Sequence, residues 1–95
     1  MRVISEEKLV GYLGRVLDLS GEILPLLSEQ GTQPPPEKIE TAYRALIESL
    51  DADRSDDPCL QDESWNWIFD PTESVNMIKI YGRLAWINLQ LLDLM

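Results

Sequence analysis

Residues 70–95 constrain the fold more than any other part of the chain. They open Asp-Pro-Thr-Glu and then hold a helical pattern to the final residue. Asp70 suits an N-cap, Pro71 the first helical position, and Glu73 can reach back to complete a capping box. At about 100° per residue, Met77, Ile78, Ile80, Tyr81, Leu84, Ala85, Ile87, Leu89, Leu91, Leu92 and Met95 spread over roughly 200°, about twice the stripe of a surface helix. A helix with so wide an apolar arc has to be covered from more than one side.

Upstream, Ser5 suits an N-cap, and Glu6 and Glu7 favour the positive end of a helix dipole. Leu9, Leu13, Val16, Leu17, Ile23, Leu24 and Leu27 then share one face, with Glu7, Arg15, Asp18, Glu22 and Glu29 opposite. Pro25 removes one amide donor without disturbing this phase, which predicts a kink in one helix over 6–29. A split into two helices near Ser20 is the alternative. Gly31 and the three prolines at 34–36 stop the helix and favour a stiff, extended spacer. A second helix over 37–51 turns Ile39, Ala42, Tyr43, Leu46, Ile47 and Leu50 inward and Glu37, Glu40, Arg44 and Glu48 outward, and a short helical turn is expected near 62–69. The predicted fold is a single all-α domain over 1–95, an antiparallel bundle of three main helices (6–29, 37–51 and 70–95).

Charge narrows the function. Seventeen acidic residues oppose eight basic ones, for a formal net charge of −9. That field repels nucleic acid and anionic membrane surfaces and attracts basic partners. There is no histidine and one cysteine, Cys59, so an internal disulfide, a histidine general base and a cysteine-based zinc site are excluded. The first residues lack an apolar core of signal-peptide length, and Lys79 and Arg83 interrupt the last helix before it reaches the ~20 apolar residues of a membrane span. A cytoplasmic protein with no cofactor is expected.

Residues 51–63 hold six acidic side chains (Asp51, Asp53, Asp56, Asp57, Asp62 and Glu63) and one basic one, Arg54. Counted as a calcium loop from Asp51, the stretch has Asp56 where the sharp turn needs glycine, Pro58 two places later and a short Asp62 where glutamate belongs. Paired carboxylates (Glu37 with Glu40, Glu48 with Asp51) are weakly similar to the magnesium-holding pairs of helical nucleotide pyrophosphohydrolases, but both pairs sit on the solvent face of one short helix. Cys59 lies among aspartates, which disfavour its thiolate.

Trp65, Trp67 and Phe69 follow the acidic stretch directly. Apolar anchors rimmed by charge give both fast encounter and tight docking. If the rings instead close the end of the bundle, Trp67 and Phe69 are the pair expected inside. Trp86 falls on the polar arc of the last helix and Asn88 inside its apolar arc, where a polar group needs a partner. A middle helix spanning ~22 Å cannot cover a last helix of ~39 Å, which leaves Leu84, Asn88, Leu91, Leu92 and Met95 for a homodimer or partner.

These features together indicate a non-enzymatic acidic protein-binding module. The closest physical character is that of immunity proteins and antitoxins, which neutralise a basic toxin or nuclease. Partner contacts are expected at Asp53, Asp56, Asp57, Asp62, Glu63, Trp65, Trp67 and Trp86. A helical adaptor or secretion chaperone using the C-terminal helix is the alternative, and a magnesium-dependent hydrolase the second.

Overall fold

The computed structural model describes residues 4–70 and 74–95. The expected all-α bundle is what forms. α1 spans Glu6–Ile23, a 3-10 turn covers Leu24–Leu26 and α2 covers Leu27–Gln30. α3 spans Glu37–Arg54, two more 3-10 turns cover Pro58–Leu60 and Glu63–Trp65, and α4 spans Met77–Asp93. Ser5 caps α1 by accepting from the Lys8 amide. Pro25 sits inside the first 3-10 turn, whose residues stay in the right-handed helical region. The chain tightens there without breaking, because the shorter turn absorbs the missing proline donor.

Ion pairs fix the topology. Lys8 meets Asp53 at 3.0 Å and Glu22 meets Lys38 at 3.4 Å, so α3 runs antiparallel to α1. α4 starts against the 31–33 turn, where the Met77 amide donates to Gln33 O (3.3 Å) and the Ile78 amide to Gly31 O (2.9 Å). It then packs back along α1, its main neighbour. Gly31 has ordinary helical dihedrals; its role is space. A Cβ there would lie 2.6 Å from Leu27 O and 2.7 Å from the Ile78 side chain, so a larger residue would push the start of α4 away.

The last helix begins seven residues later than the sequence suggests. Asn76, in extended conformation, accepts from the Lys79 amide at 2.9 Å and is the true cap. Asp70 does not start α4, and the proposed contributions of Pro71, Thr72 and Glu73 lie outside the described residues. The turn carbonyls of Gly31 and Gln33 reward a start at Met77, since they satisfy amides that any helix leaves free. α3 in turn runs three residues beyond the expected Asp51. The three helices therefore hold 18, 18 and 17 residues, or ~25–27 Å each. The length mismatch that argued for leftover surface at Leu84 and Leu91 does not exist.

α4 is covered on its second side by the connection after α3. Arg54 organises that connection. Its Nε donates to Leu60 O at 3.0 Å, an Nη donates to Asn66 Oδ1, and its guanidinium lies 4.8 Å from the centre of the Phe69 ring. Gln61 donates back to Arg54 O at 3.1 Å. Leu60, Trp65 and Ile68 are thereby delivered to the core, beside Leu9, Val16 and Ile23 of α1, Leu46 and Leu50 of α3, and Ile80, Leu84, Ile87 and Leu91 of α4.

Two substitutions test this packing by chemical denaturation. Leu84→Ala, at a fully buried site, should cost about 2–5 kcal/mol, whereas Leu89→Ala on the open face should cost under about 1 kcal/mol. Arg54→Lys keeps the charge and loses the planar fork; it should cost about 1–2 kcal/mol and alter the near-ultraviolet circular dichroism of the tryptophans. An unchanged spectrum would mean that Arg54 does not hold the connection.

Candidate functional site

The acidic residues gather where the start of α1 meets the end of α3. A cavity of about 170 Å³ there is lined by Ile4, Ser5, Lys8, Asp53, Asp56 and Asp57. α3 continues through Asp53 and Arg54, so the first positions of the tested calcium loop are helical. Among the described residues, no three carboxylate or thiol groups converge as metal ligands.

Each aspartate has a distinct environment. Asp53 receives Lys8 Nζ at 3.0 Å on one oxygen and the Tyr12 hydroxyl on the other. The Tyr12 hydroxyl also points at Ser49 O, 3.0 Å away; it has one proton to give, and the carboxylate is the stronger acceptor. The hydrogen bond from Tyr12, then that from Lys8, holds the Asp53 carboxyl below its usual range. Burial, and then the bond to Asp53, pushes the Tyr12 phenol well above its own. Asp56 is exposed at the cavity rim. Asp57 is only 3% exposed: its Oδ1 accepts from the Cys59 amide at 3.0 Å, while its Oδ2 is buried with no hydrogen-bond partner among the described residues. A buried carboxyl oxygen in that state is costly and favours a donor or a cation. The expectation that Asp57 steers partners from the surface is corrected: it is a cap and a cavity wall.

Asp62 caps the third 3-10 turn, accepting from Ser64 N at 2.9 Å. The bonds from Ser64, the backbone amide foremost, hold its carboxyl below the usual range. Glu63 follows it, exposed.

The tryptophans separate. Trp65 is 2% exposed and belongs to the core, which overturns its role as a surface anchor. Trp67 is 44% exposed, although it was one of the pair expected inside, and Phe69 is half-buried. The phase differs because 3-10 and irregular turns replace the α-helical period across this stretch. Trp86 is covered edge-on by Trp65, at 4.9 Å between ring centres, and by Trp67, at 5.3 Å. The connection crossing that face explains a large ring on the polar arc. Beneath Trp67 lies Arg83, 5% exposed, 5.4 Å from the ring centre and donating to the Tyr43 hydroxyl at 3.2 Å. Sequence reading missed Arg83 as a core residue and missed Tyr12 and Lys8 as the partners of Asp53. Their spacings of 41 and 45 residues from Asp53 carry no local signal.

Of the residues expected at an oligomer interface, Leu84 and Leu91 are fully buried and are excluded from one. Asn88 is half-buried, and Leu92 and Met95 are exposed. No helix among the described residues is long and apolar enough to cross a membrane. Comparison with protein-family models, with curated proteins and with solved structures gave no match.

The Tyr12–Asp53 pair predicts a pH window. A lowered carboxyl pKa contributes stability above the ordinary value of 3.8 and loses it as pH falls through the lower folded value. A raised phenol pKa contributes below 10.0 and loses it as pH rises towards the folded value. Tyr12→Phe should therefore cost about 1–2 kcal/mol near neutrality, and the gap in melting temperature from the native chain should close at both pH extremes. A gap constant across that range would contradict the pairing.

Proposed function

We propose that this chain is a non-enzymatic acidic binding module, of the inhibitor type found in immunity proteins and antitoxins, that engages a basic protein at the α1–α3 corner. The observation that carries the reading is the cavity at this corner, walled by Asp53, Asp56 and Asp57, the last with an Oδ2 buried with no hydrogen-bond partner among the described residues. A lysine or arginine side chain of the partner entering the cavity supplies a counter-charge, and a small shift of the Asp57 carboxyl brings its Oδ2 to that donor. The net charge of −9 accelerates encounter with such a partner. Asp56 and Glu63 are exposed and serve in steering. Trp67 offers an apolar contact on a different part of the surface, over Arg83. The carboxylate pairs of α3 support the hydrolase reading poorly, since Glu40 is engaged by Arg44 at 3.0 Å and Glu37, Glu48 and Asp51 are exposed on that helix.

Titration with an arginine-rich peptide by calorimetry tests the proposal. Binding should weaken steeply with added salt, and Asp56→Lys should lower affinity roughly tenfold, equivalent to ~1.4 kcal/mol. Affinity and salt dependence that both survive Asp56→Lys and Asp57→Asn would rule out this corner as the docking site.

A further inference from the structure

The outer surface of the α1–α4 pair is apolar and has no cover among the described residues. On α1 and the 3-10 turn that continues it, Val10, Leu17 and Leu24 recur every seven residues and are each more than half exposed. Gly14 and Gly21 fall between them, which gives four–three spacing along one stripe. On α4, Ile78, Leu89 and Leu92 are similarly exposed, and Gly82 and Ala85 complete the same four–three spacing. Four–three spacing is the signature of a helix seam that packs on other helices.

The two stripes face the same way. α1 turns Arg15, Leu19 and Glu22 towards the groove it shares with α3. α4 turns Arg83 and Trp86 towards Trp67. At about 100° per residue, both stripes then fall on the remaining flank, side by side across the α1–α4 contact. Between Val10 and Leu24, and between Ile78 and Leu92, neither stripe contains a charged residue; Glu7 holds the position before Val10 in the same register. The glycines leave the stripes low: a Cβ on Gly14, Gly21 or Gly82 would meet nothing within 4 Å, as is also true of Gly11 off the stripe. The isolated chain gives no packing reason for them, although each costs roughly 1 kcal/mol in a helix relative to alanine. They keep the face low where another backbone could approach.

We infer that this face pairs with a second copy of the chain, two α1–α4 layers closing into a four-helix assembly about a twofold axis. The inference is independent of the acidic corner. Six side chains at ~100 Å² apiece put ~600 Å² of apolar surface here, about three quarters of the ~800 Å² per partner of a standard interface. That is also the top of the ~300–600 Å² range of the largest patch on an ordinary monomer. A two-helix layer with the same seam spacing on both members complements another such layer. A basic partner would be drawn to the acidic corner, because this face offers no charge to attract it.

Charge also sets the sign of the test. Two copies of net charge −9 repel, so pairing should tighten as salt shortens the screening length from ~30 Å at 0.01 M to ~8 Å at 0.15 M. Docking of a basic partner should do the opposite. Sedimentation equilibrium of the full chain, from about 5 to 500 μM at both salt concentrations, should show a dimer that strengthens at least threefold in the higher salt. Leu17→Asp and Leu89→Asp, at sites 61% and 62% exposed, should each weaken it at least tenfold while leaving helical circular dichroism unchanged. Asp56→Lys should leave a dimer intact, so failure at the acidic corner is separable from failure here. A monomer at every concentration, a dimer that weakens with salt, or a mass that neither aspartate changes would each overturn the inference.

Discussion

A single guanidinium shapes the connection between α3 and α4. Arg54, at the end of α3, donates to Leu60 O and Asn66 Oδ1 and lies over Phe69. The stretch after α3 is rich in aspartate and poor in regular structure, and those three contacts set the path along which its apolar side chains reach the core. With them it returns along the bundle and carries Leu60, Trp65 and Ile68 inward. α4 needs this cover: α1 packs on one side of it, and the far side holds Arg83 and Trp86, which the tryptophan stretch helps to enclose together with Tyr43 of α3. The wide apolar arc of the last helix is thus served by two different structures, a helix and an irregular strap.

That arrangement separates charge from apolar surface. The acidic groups collect at the α1–α3 corner, where Lys8 and Tyr12 engage Asp53 and leave Asp57 with an unsatisfied oxygen. The exposed apolar side chains collect on the α1–α4 flank. On the proposed reading, a net charge of −9 would keep monomers apart at low ionic strength and draw cations to the corner, so the two surfaces would respond to salt in opposite senses. The two proposed recognition events would then use different residues.

The helical class, Ser5 as the first cap and the continuity of the chain through Pro25 were legible from periodicity and local chemistry. The start of α4 was not. Asp70 and Asn76 are both good caps by residue type, and the choice between them is made by Gly31 and Gln33, more than forty residues upstream. Once α4 is shortened and α3 lengthened, Leu84 and Leu91 pass from surplus to core. Trp65 was misplaced for a related reason: a 3.6-residue period does not apply across 3-10 turns, so Trp65 goes inside while Trp67, also expected as a surface contact, stays out. At the candidate site the acidic stretch itself was visible. The burial of Asp57 and the Tyr12–Asp53 bond were not, since both depend on α1 and α3 meeting end to end. The α1 half of the apolar flank was hidden for the opposite reason. Leu17 and Leu24 sit close enough to the buried arc on a helical wheel to read as core.

The central claim is that the chain carries two distinct surfaces, an acidic corner for a basic partner and an apolar flank for its own copy. Side-chain methyl and backbone amide chemical-shift mapping tests it most directly, with two titrations on the full chain: increasing protein concentration alone, and an arginine-rich peptide at fixed low concentration. The predicted result is two separate footprints. Concentration should move the methyl signals of Val10, Leu17, Leu24, Leu89 and Leu92, and the peptide should move the amides around Asp53, Asp56 and Asp57. One shared footprint, or shifts confined to neither set, would contradict the claim.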